Sequence, residues 1–408
     1  MKFTKTENSW ILYDVANSAF VLLTASIIPI YFRALAEADG VSAADITSLF
    51  AVSTSIAMLI LALVSPVLGA IADFKGMKKK LFSISLIVGL LGGLSLAITT
   101  SWQAFLFLFI IARIGYSSCN VFYDSMLTDI TTDERMDTIS GAGYAWGYVG
   151  STVPFILGIA LVLFGENLGI STQLGTQLAF VITVLWWGLL SIPLLKNVKQ
   201  TYYKERTQGF VRNSFSGVIE TVKKIYRNKK MFYFILAYFF YIDGVYTIIS
   251  QSASFGGEVG IDSNQLIMAL LYTQFIAFPF AILSGKLAKR FNVLKVLKVY
   301  IGIYIVTAIV GFMMQHVWQF WLLATFVGVA QGGIQSLSRS YFGKLVPKES
   351  SNEYFGFFDI FGKFADFFGP LLMVISVFFF DTSRYGILGI IVLFILGLFF
   401  LNKVERLS

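Results

Sequence analysis

Long apolar runs recur along the whole chain, and they limit its fold more than any other feature of the sequence. Hydrophobic residues make up 57% of the chain and charged residues only 13%, and the charged residues are bunched between the apolar runs. The hydrocarbon core of a bilayer is ~30 Å thick, which a helix crosses with ~20 apolar residues. The strands of a membrane β-barrel would instead be short and would alternate polar with apolar residues. We therefore predict an all-α membrane protein.

The apolar runs predict twelve transmembrane helices. The predicted spans are 10–33, 46–72, 81–100, 102–127, 139–164, 174–195, 231–255, 264–287, 293–314, 317–340, 354–380 and 384–402. An even number of spans places both termini on one side of the membrane, and most of the 31 Lys and Arg residues fall on that side. Because such an excess marks the cytoplasmic face, both termini are predicted to be cytoplasmic. The net charge of +8 then reflects topology, and no nucleic-acid partner is predicted.

The chain has one cysteine, Cys119, and one histidine, His316. A single cysteine cannot form an internal disulfide, and we interpret Cys119 as a small buried residue. A single histidine leaves little basis for a His-based metal site or for Ser–His or Cys–His catalysis. No metal and no cofactor are predicted.

A polar, basic stretch at 196–230 divides the chain. We predict an N-terminal six-helix bundle at 1–195, a basic cytoplasmic linker at 196–230 and a C-terminal six-helix bundle at 231–408. Apolar residues at helical spacing inside the linker indicate a surface helix that binds anionic lipid headgroups, with membrane lipids as partners. A solvated linker explains the same residues equally well.

Sequence similarity between the two halves supports this division. The run Gly69–Gly76 (GAIADFKG) has a counterpart in Gly285–Asn292 (GKLAKRFN), and the pair Trp102–Gln103 recurs at the same spacing as Trp318–Gln319. Two pseudo-symmetric halves are typical of transporters whose binding site lies at the interface of the repeats.

The loop between the second and third spans reads GAIADFKGMKKK over residues 69–80. It resembles the signature of the major facilitator superfamily, although Phe74 stands where arginine is common. The resemblance implies a conformational gating loop that helps to hold an outward-facing state. Its predicted members are Gly69, Asp73, Gly76, Lys78 and Lys79.

The opening run Ser9–Phe20 and the stretch Arg113–Asp129 are more specific. Together they resemble the vacuolar amino-acid effluxer-like branch of that superfamily, which comprises autophagy-related effluxers and bacterial relatives. The resemblance implies a major facilitator fold and transport of a small solute, with amino acids as the substrate class.

Polar side chains form stripes on several predicted spans. An ionised side chain at the middle of the bilayer raises the free energy by ~2.5–3.5 kcal/mol, so each such residue calls for a structural or functional explanation. In the resembled superfamily, spans 1, 4, 7 and 10 line the central cavity, and the stripes fall on these spans. The residues predicted to form the pathway for substrate and protons are Asp14, Asn17, Arg113, Tyr116, Asn120, Asp243, Tyr246, Gln331 and Gln335, with Asp359 and Lys363 in span 11. Packing between helices explains any single polar residue as well, and a structural ion pair explains Asp359 and Lys363.

Aspartates outnumber basic residues inside the predicted spans. Burial favours the protonated form of a carboxyl group, so one aspartate that changes its protonation would couple transport to protons. We assign this role to Asp14 or Asp243. Arg113 is the candidate for binding a substrate carboxylate, or for acting as an internal counter-ion with Asp124 as its partner.

These features predict a secondary active transporter and not an enzyme. It would move a small polar or zwitterionic solute, such as an amino acid, by alternating access with protons as the coupling ion. We expect a monomer in the cell membrane. Two alternatives stay open: an exporter of amphipathic drugs or lipid-linked molecules, and an intramembrane aspartyl enzyme, which no accompanying motif supports. A receptor would normally add a soluble output domain, which this sequence does not contain.

Overall fold

The computed structural model describes residues 2–206, 210–258, 260–380, 382 and 384–407. Apart from one isolated bridge between Phe74 and Lys204, regular structure in these residues is helical. The helices are α1 (Lys5–Ala25), α2 (Ile27–Ala38), α3 (Ala43–Ala72), α4 (Met77–Ile98), α5 (Trp102–Ile130), α6 (Asp133–Phe164), α7 (Thr172–Asn197), α8 (Phe210–Arg227), α9 (Lys229–Glu258), α10 (Ser263–Phe291), α11 (Val293–Phe312), α12 (Val317–Leu345), α13 (Ser351–Phe380) and α14 (Arg384–Arg406).

Among the described residues, 11 helical segments are long and apolar enough to cross a membrane. This confirms the prediction of an all-α membrane protein. The first of these segments, Lys5–Ala38, is longer than predicted and is interrupted at Ser26, whose backbone leaves the helical region (φ −133°, ψ −72°). The predicted span 354–380 lies in α13, where the apolar stretch is the shorter Leu371–Phe380. The count of twelve spans and the cytoplasmic position of the termini stay predictions.

The structure divides by contacts into two compact units. Unit 1 comprises Met1–Ile130, Trp146–Val211 and Lys348–Gly356, and unit 2 comprises Thr131–Ala145, Arg212–Pro347 and Phe357–Ser408. Helices α6 and α13 therefore each contribute residues to both units. The boundaries drawn from chain position at 195 and 230 stay a prediction.

The same helix pairings occur in both units. In unit 1, α4 packs on α5, α3 on α5, α1 on α7 and α4 on α7. In unit 2, the corresponding pairs are α11 on α12, α10 on α12, α9 on α14 and α11 on α14. Each helix of the first set has its counterpart at the same place in the second set, so the weak repeat in the sequence reflects a repeated helix architecture.

Glycines let α3 and α13 approach closely within unit 1. A Cβ atom on Gly356 would lie 2.7 Å from the carbonyl oxygen of Ser65, and one on Gly69 would clash with the backbone of Asn352. Within unit 2, α6 and α10 meet in the same way, because a Cβ on Gly141 would lie 2.7 Å from the carbonyl oxygen of Ala281. Small residues at these crossings allow backbone-to-backbone contact.

Helix α8 lies in the predicted linker and is amphipathic, as the sequence indicates. One of its stripes exposes three apolar side chains, Ile219, Val222 and Tyr226, while Ile225 is buried. The exposed Lys223, Lys224 and Arg227 lie beside the apolar stripe. This arrangement is typical of helices at a membrane surface, and binding to anionic lipids stays a prediction.

Gly115 generates a prediction about stability. It lies where α5 crosses α4, and a Cβ atom there would clash with the backbone of Gly89 and lie 2.9 Å from the carbonyl oxygen of Ser85. We expect Gly115→Ala to force the helices apart and to lower the free energy of unfolding by about 1–3 kcal/mol. Thermal unfolding of the purified protein in detergent measures the effect.

Gly302 in α11 supplies the matched control, because, apart from its chain neighbours and the backbone of its own helix, nothing lies within 4 Å of the position that a Cβ atom would take there. Gly302→Ala is expected to leave stability unchanged or to raise it slightly, since alanine favours helix. Equal unfolding temperatures for the two variants would contradict the tight crossing of α4 and α5.

Candidate functional site

The polar face of α5 contacts α1 within unit 1. Asn17 on α1 donates from its Nδ2 atom to the Oδ1 atom of Asn120 on α5 at 3.1 Å. Tyr116, one turn before Asn120, is buried and is hydrogen-bonded to the Asn120 side chain. Three predicted pathway residues thus form one hydrogen-bonded group, because α5 presents residues three and four apart on one face.

Charged side chains lie around this group. Asp14, Arg113 and Asp124 are all close enough to act electrostatically on the Tyr116 hydroxyl. Asp14 is buried, at 5% exposure. The Nε atom of Arg113 is also buried, and no described residue forms a hydrogen bond with it. We name Asp14, Asn17, Arg113, Tyr116 and Asn120 the α1–α5 polar patch.

Aromatic side chains fix the position of this patch. The Tyr116 ring stacks on Phe20 with centroids 5.0 Å apart and meets Trp187 of α7 edge-on at 5.8 Å. At the other end of α1, Trp10 stacks on Tyr123 and donates from Nε1 to its carbonyl oxygen at 2.9 Å. These contacts explain the aromatic residues of the opening run, which join α1 to α5.

In unit 2, Asp243 of α9 is fully buried and its Oδ1 atom accepts a hydrogen bond from the backbone N–H of Gly369 in α13 at 2.9 Å. A Cβ atom on Gly369 would clash with Thr247. Asp243 therefore joins α9 to α13 and has a clear structural role. Tyr246 is half-buried on the following turn of α9.

The other predicted residues of unit 2 lie on α12 and α13. Gln331 is buried and Gln335, one turn later, is half-buried. Lys363 forms an ion pair with Asp359, four residues earlier on α13. The side chain of Asp366, which the sequence also marks, lies outside the described residues. The structure thus distributes the unit 2 residues over three helices.

The predicted gating loop binds the first residues of α13 within unit 1. Asp73 ends α3, and its Oδ1 atom accepts hydrogen bonds from Asn352 N at 2.9 Å and from Asn352 Nδ2 at 2.8 Å. Its Oδ2 atom accepts from Glu353 N at 3.2 Å. A carboxylate at the start of a helix satisfies otherwise unpaired N–H groups and matches the helix dipole. Gly76 has φ +73°, a conformation that favours glycine.

The two predicted lysines of this loop make different contacts. Lys78 is buried and pairs with the buried Asp129 of α5, with Nζ 2.5 Å from Oδ2, and Nζ also donates to Ser351 Oγ at 3.3 Å. Lys79 donates from Nζ to the carbonyl oxygen of Val198 at 3.1 Å. The sequence marked both lysines, but it did not identify Asn352 or Glu353 as partners of the loop.

A second polar cluster, which sequence reasoning missed, joins α6 to α12 within unit 2. Asp137 accepts from Ser340 Oγ at 2.7 Å and from Lys344 Nζ at 2.6 Å. Arg339, which is buried, donates from Nε to Ser140 Oγ at 3.0 Å. These polar contacts hold the start of α6 in place, in the same way that the gating loop holds the start of α13.

Comparisons with known proteins agree on one family. The family model described as "Vacuole effluxer Atg22 like" matches residues 4–406. The uncharacterized MFS-type transporter YxiO of Bacillus subtilis (strain 168) is 44% identical over 410 residues, which cover 99% of this chain and 96% of that protein. Autophagy-related protein 22 of Kluyveromyces lactis is 25% identical over 297 residues, which cover 65% of this chain and 59% of that protein's length.

Solved structures agree on the fold. The major facilitator transporter FucP, in the outward conformation, gives a TM-score of 0.71 at 15% identity, with 98% of this chain and 97% of that chain covered. The human organic anion transporter MFSD10 (TETRAN) gives 0.69 at 14% identity, with 97% and 98% covered. The fold is that of major facilitator transporters, as the sequence resemblance predicts, and such transporters are not enzymes.

Asp73 generates a prediction about pH. Burial raises the pKa of its carboxyl group from 3.8 to about 6, against the lowering effects of Lys204, Asn352 and Lys78; Glu353 also lies beside it. A raised carboxyl pKa gives stability that is complete below pH 3.8 and is lost as the pH rises through about 6. Wild type should therefore lose thermal stability relative to Asp73→Asn between about pH 4.5 and about pH 7, by at most ~3 kcal/mol.

The control for this measurement is Asp39→Asn, because Asp39 is exposed. Unfolding temperatures of the three proteins are compared in detergent across the same pH series. A difference between wild type and Asp73→Asn that stays constant with pH would show that this carboxyl group does not titrate in that range.

Proposed function

We propose that this chain, which belongs to the vacuole effluxer Atg22-like family and is an MFS-type transporter, moves a small zwitterionic or anionic polar solute across the membrane by alternating access, coupled to protons. The α1–α5 polar patch carries the proposal. It lies on helices α1 and α5, within two segments long and apolar enough to span the bilayer. Polar and ionisable groups inside a bilayer have a high free energy unless water, a protein partner or a ligand contacts them.

Arg113 defines the chemistry of the proposed substrate. Its Nε atom is buried without a hydrogen-bond partner among the described residues, and a guanidinium group binds carboxylates through paired N–H donors. The Asp14 carboxylate and the Asn120 side-chain oxygen lie on the same patch and are of the chemical type that an ammonium group binds. A solute that carries both a carboxylate and an ammonium group, such as an amino acid, therefore suits the patch better than an amphipathic drug.

Asp14 is the better candidate for proton coupling. The sequence left Asp14 and Asp243 open. We choose Asp14 because it shares a patch with the proposed substrate-binding residue, whereas Asp243 joins α9 to α13. Asp14 is buried on the patch that contains Arg113.

The proposed setting is the cell membrane, and the proposed unit is the monomer. The relative YxiO, aligned over 96% of its length, comes from a bacterium, and bacterial cells have no vacuole. The fold contains both halves in one chain, so a second copy is not needed to complete it.

Arg113→Gln tests substrate binding. In proteoliposomes screened against amino acids, we expect the variant to raise the KM of the transported solute about tenfold or more, because a charge-assisted hydrogen bond contributes about 1.5–3 kcal/mol. The KM of the amidated solute, which lacks the carboxylate, should change little between wild type and Arg113→Gln. Arg33→Gln is the control, since Arg33 is a half-exposed surface residue that pairs with Glu37. An unchanged KM in Arg113→Gln would remove Arg113 from substrate binding.

Asp14→Asn tests proton coupling. We expect this variant to lose uptake driven by an imposed pH gradient and to keep exchange of labelled for unlabelled solute, because exchange needs no net proton movement. Both rates are measured in the same proteoliposome preparation. Full gradient-driven uptake by Asp14→Asn would exclude this aspartate as the coupling group, and loss of exchange as well would assign it to binding.

A further inference from the structure

The first part of the linker is bound to the gating loop within unit 1, and we name residues 198–206 the linker strap. Lys204 and the loop form the one described strand-like pairing: Lys204 N donates to the Asp73 carbonyl oxygen at 2.8 Å, and Lys75 N donates to the Lys204 carbonyl oxygen at 3.0 Å. The strap thus follows the loop by backbone hydrogen bonds, where the sequence predicted a solvated linker or a surface helix.

Side-chain hydrogen bonds also hold the strap in place. The buried Asp129, which pairs with Lys78, accepts from Thr201 N at 2.8 Å and from Tyr202 N at 3.0 Å through Oδ1. Gln200 accepts from the backbone N–H of Gly76 at 2.9 Å. A buried carboxylate that receives two backbone N–H groups holds a short segment in one conformation.

Lys204 adds a charge at the contact between the loop and α13. Its Nζ atom lies 3.7 Å from Asp73 Oδ2 and 3.4 Å from Glu353 Oε2, and the side chains of both acids are nearly inaccessible, at 1% and 6% exposure. The loop has Phe74 where the resembled signature commonly has arginine. Lys204 therefore places a cation beside the acid of a motif that lacks this arginine.

We propose that the linker strap is a working part of the gate, and that Lys204 is a positioning residue that holds the start of α13 on the gating loop by neutralising Asp73 and Glu353. This inference rests on the proposed alternating-access function for its meaning in transport, but its structural claim can be measured without transport. Releasing the strap would leave two adjacent buried carboxylates with less compensation, which weakens the bond between loop and helix.

The electrostatics of Asp73 agree with this role. Burial raises the pKa of Asp73, and among the groups that lower this pKa, Lys204 has the largest effect, ahead of Asn352 and Lys78. Removing the Lys204 charge would therefore favour the neutral form of Asp73. The ionised form of Asp73, which accepts the N–H groups of Asn352 and Glu353, would then have a higher free energy in the folded protein.

Hydrogen exchange of backbone amides in the full-length protein tests the proposal. The amides of Lys75, Thr201, Tyr202, Asn352 and Glu353 are all donors in the contacts described. We expect Lys204→Gln to speed exchange about fivefold or more in peptides from the strap and also in peptides that cover the start of α13, since a fivefold change corresponds to about 1 kcal/mol. Lys204→Arg should restore the wild-type rates.

Lys196→Gln is the matched control, because Lys196 is an exposed lysine in the last turn of α7, outside the strap. It removes the same charge and should leave exchange unchanged. Faster exchange in the strap alone, without a change at the start of α13, would overturn the coupling between them, and no change in either peptide would overturn the role of Lys204. Transport assays on the same variants separate this result from the proposed function: if wild type transports nothing, the function fails while the exchange result stands.

Discussion

An ionised side chain inside a bilayer has a high free energy unless a partner, water or a ligand compensates its charge, and the charged groups of α1, α5, α9 and α13 illustrate this constraint. Lys363 pairs with Asp359 on α13. Asp243 accepts a backbone N–H from Gly369. Asp14, Arg113 and Asp124 lie together around Tyr116. The last of these groups is the one with a buried guanidinium nitrogen that no described residue binds, which is why the proposed substrate site is placed there.

The same constraint acts at the ends of two helices. The start of α13 is held by Asp73, and the start of α6 is held through Asp137 and Ser140. These contacts bury carboxylates against cations and helix N-termini, so breaking them requires new partners for every group involved. Contacts of this kind suit a protein with two discrete arrangements, because partly broken intermediates leave buried charges uncompensated.

The helical membrane fold could be predicted from the sequence, because long apolar runs are a local signal, and the repeated motifs agree with the repeated helix pairings. The polar patch could also be predicted in part: helical spacing alone puts Arg113, Tyr116 and Asn120 on one face of α5. The break at Ser26 was missed although the sequence marks it, because Pro29 has no N–H to donate to the Ala25 carbonyl and its ring clashes with that carbonyl. The strap was missed because its fixed conformation comes from Asp129 and Gln200, whose partners lie far away in the sequence. Asn352 was missed because its partner Asp73, which accepts from both its backbone N–H and its side chain, lies 279 residues away in the sequence.

If the proposed function is right, the α1–α5 polar patch faces water during the transport cycle. Single cysteines at positions 17, 113 and 120, introduced in a Cys119→Ser background, can be treated with a membrane-impermeant thiol reagent in proteoliposomes, with Ile87→Cys on the exposed face of α4 as the lipid-facing control. The patch cysteines should react with the reagent, substrate should slow their reaction, and the Ile87→Cys variant should not react. Patch cysteines as inert as the lipid-facing control would contradict the proposed function.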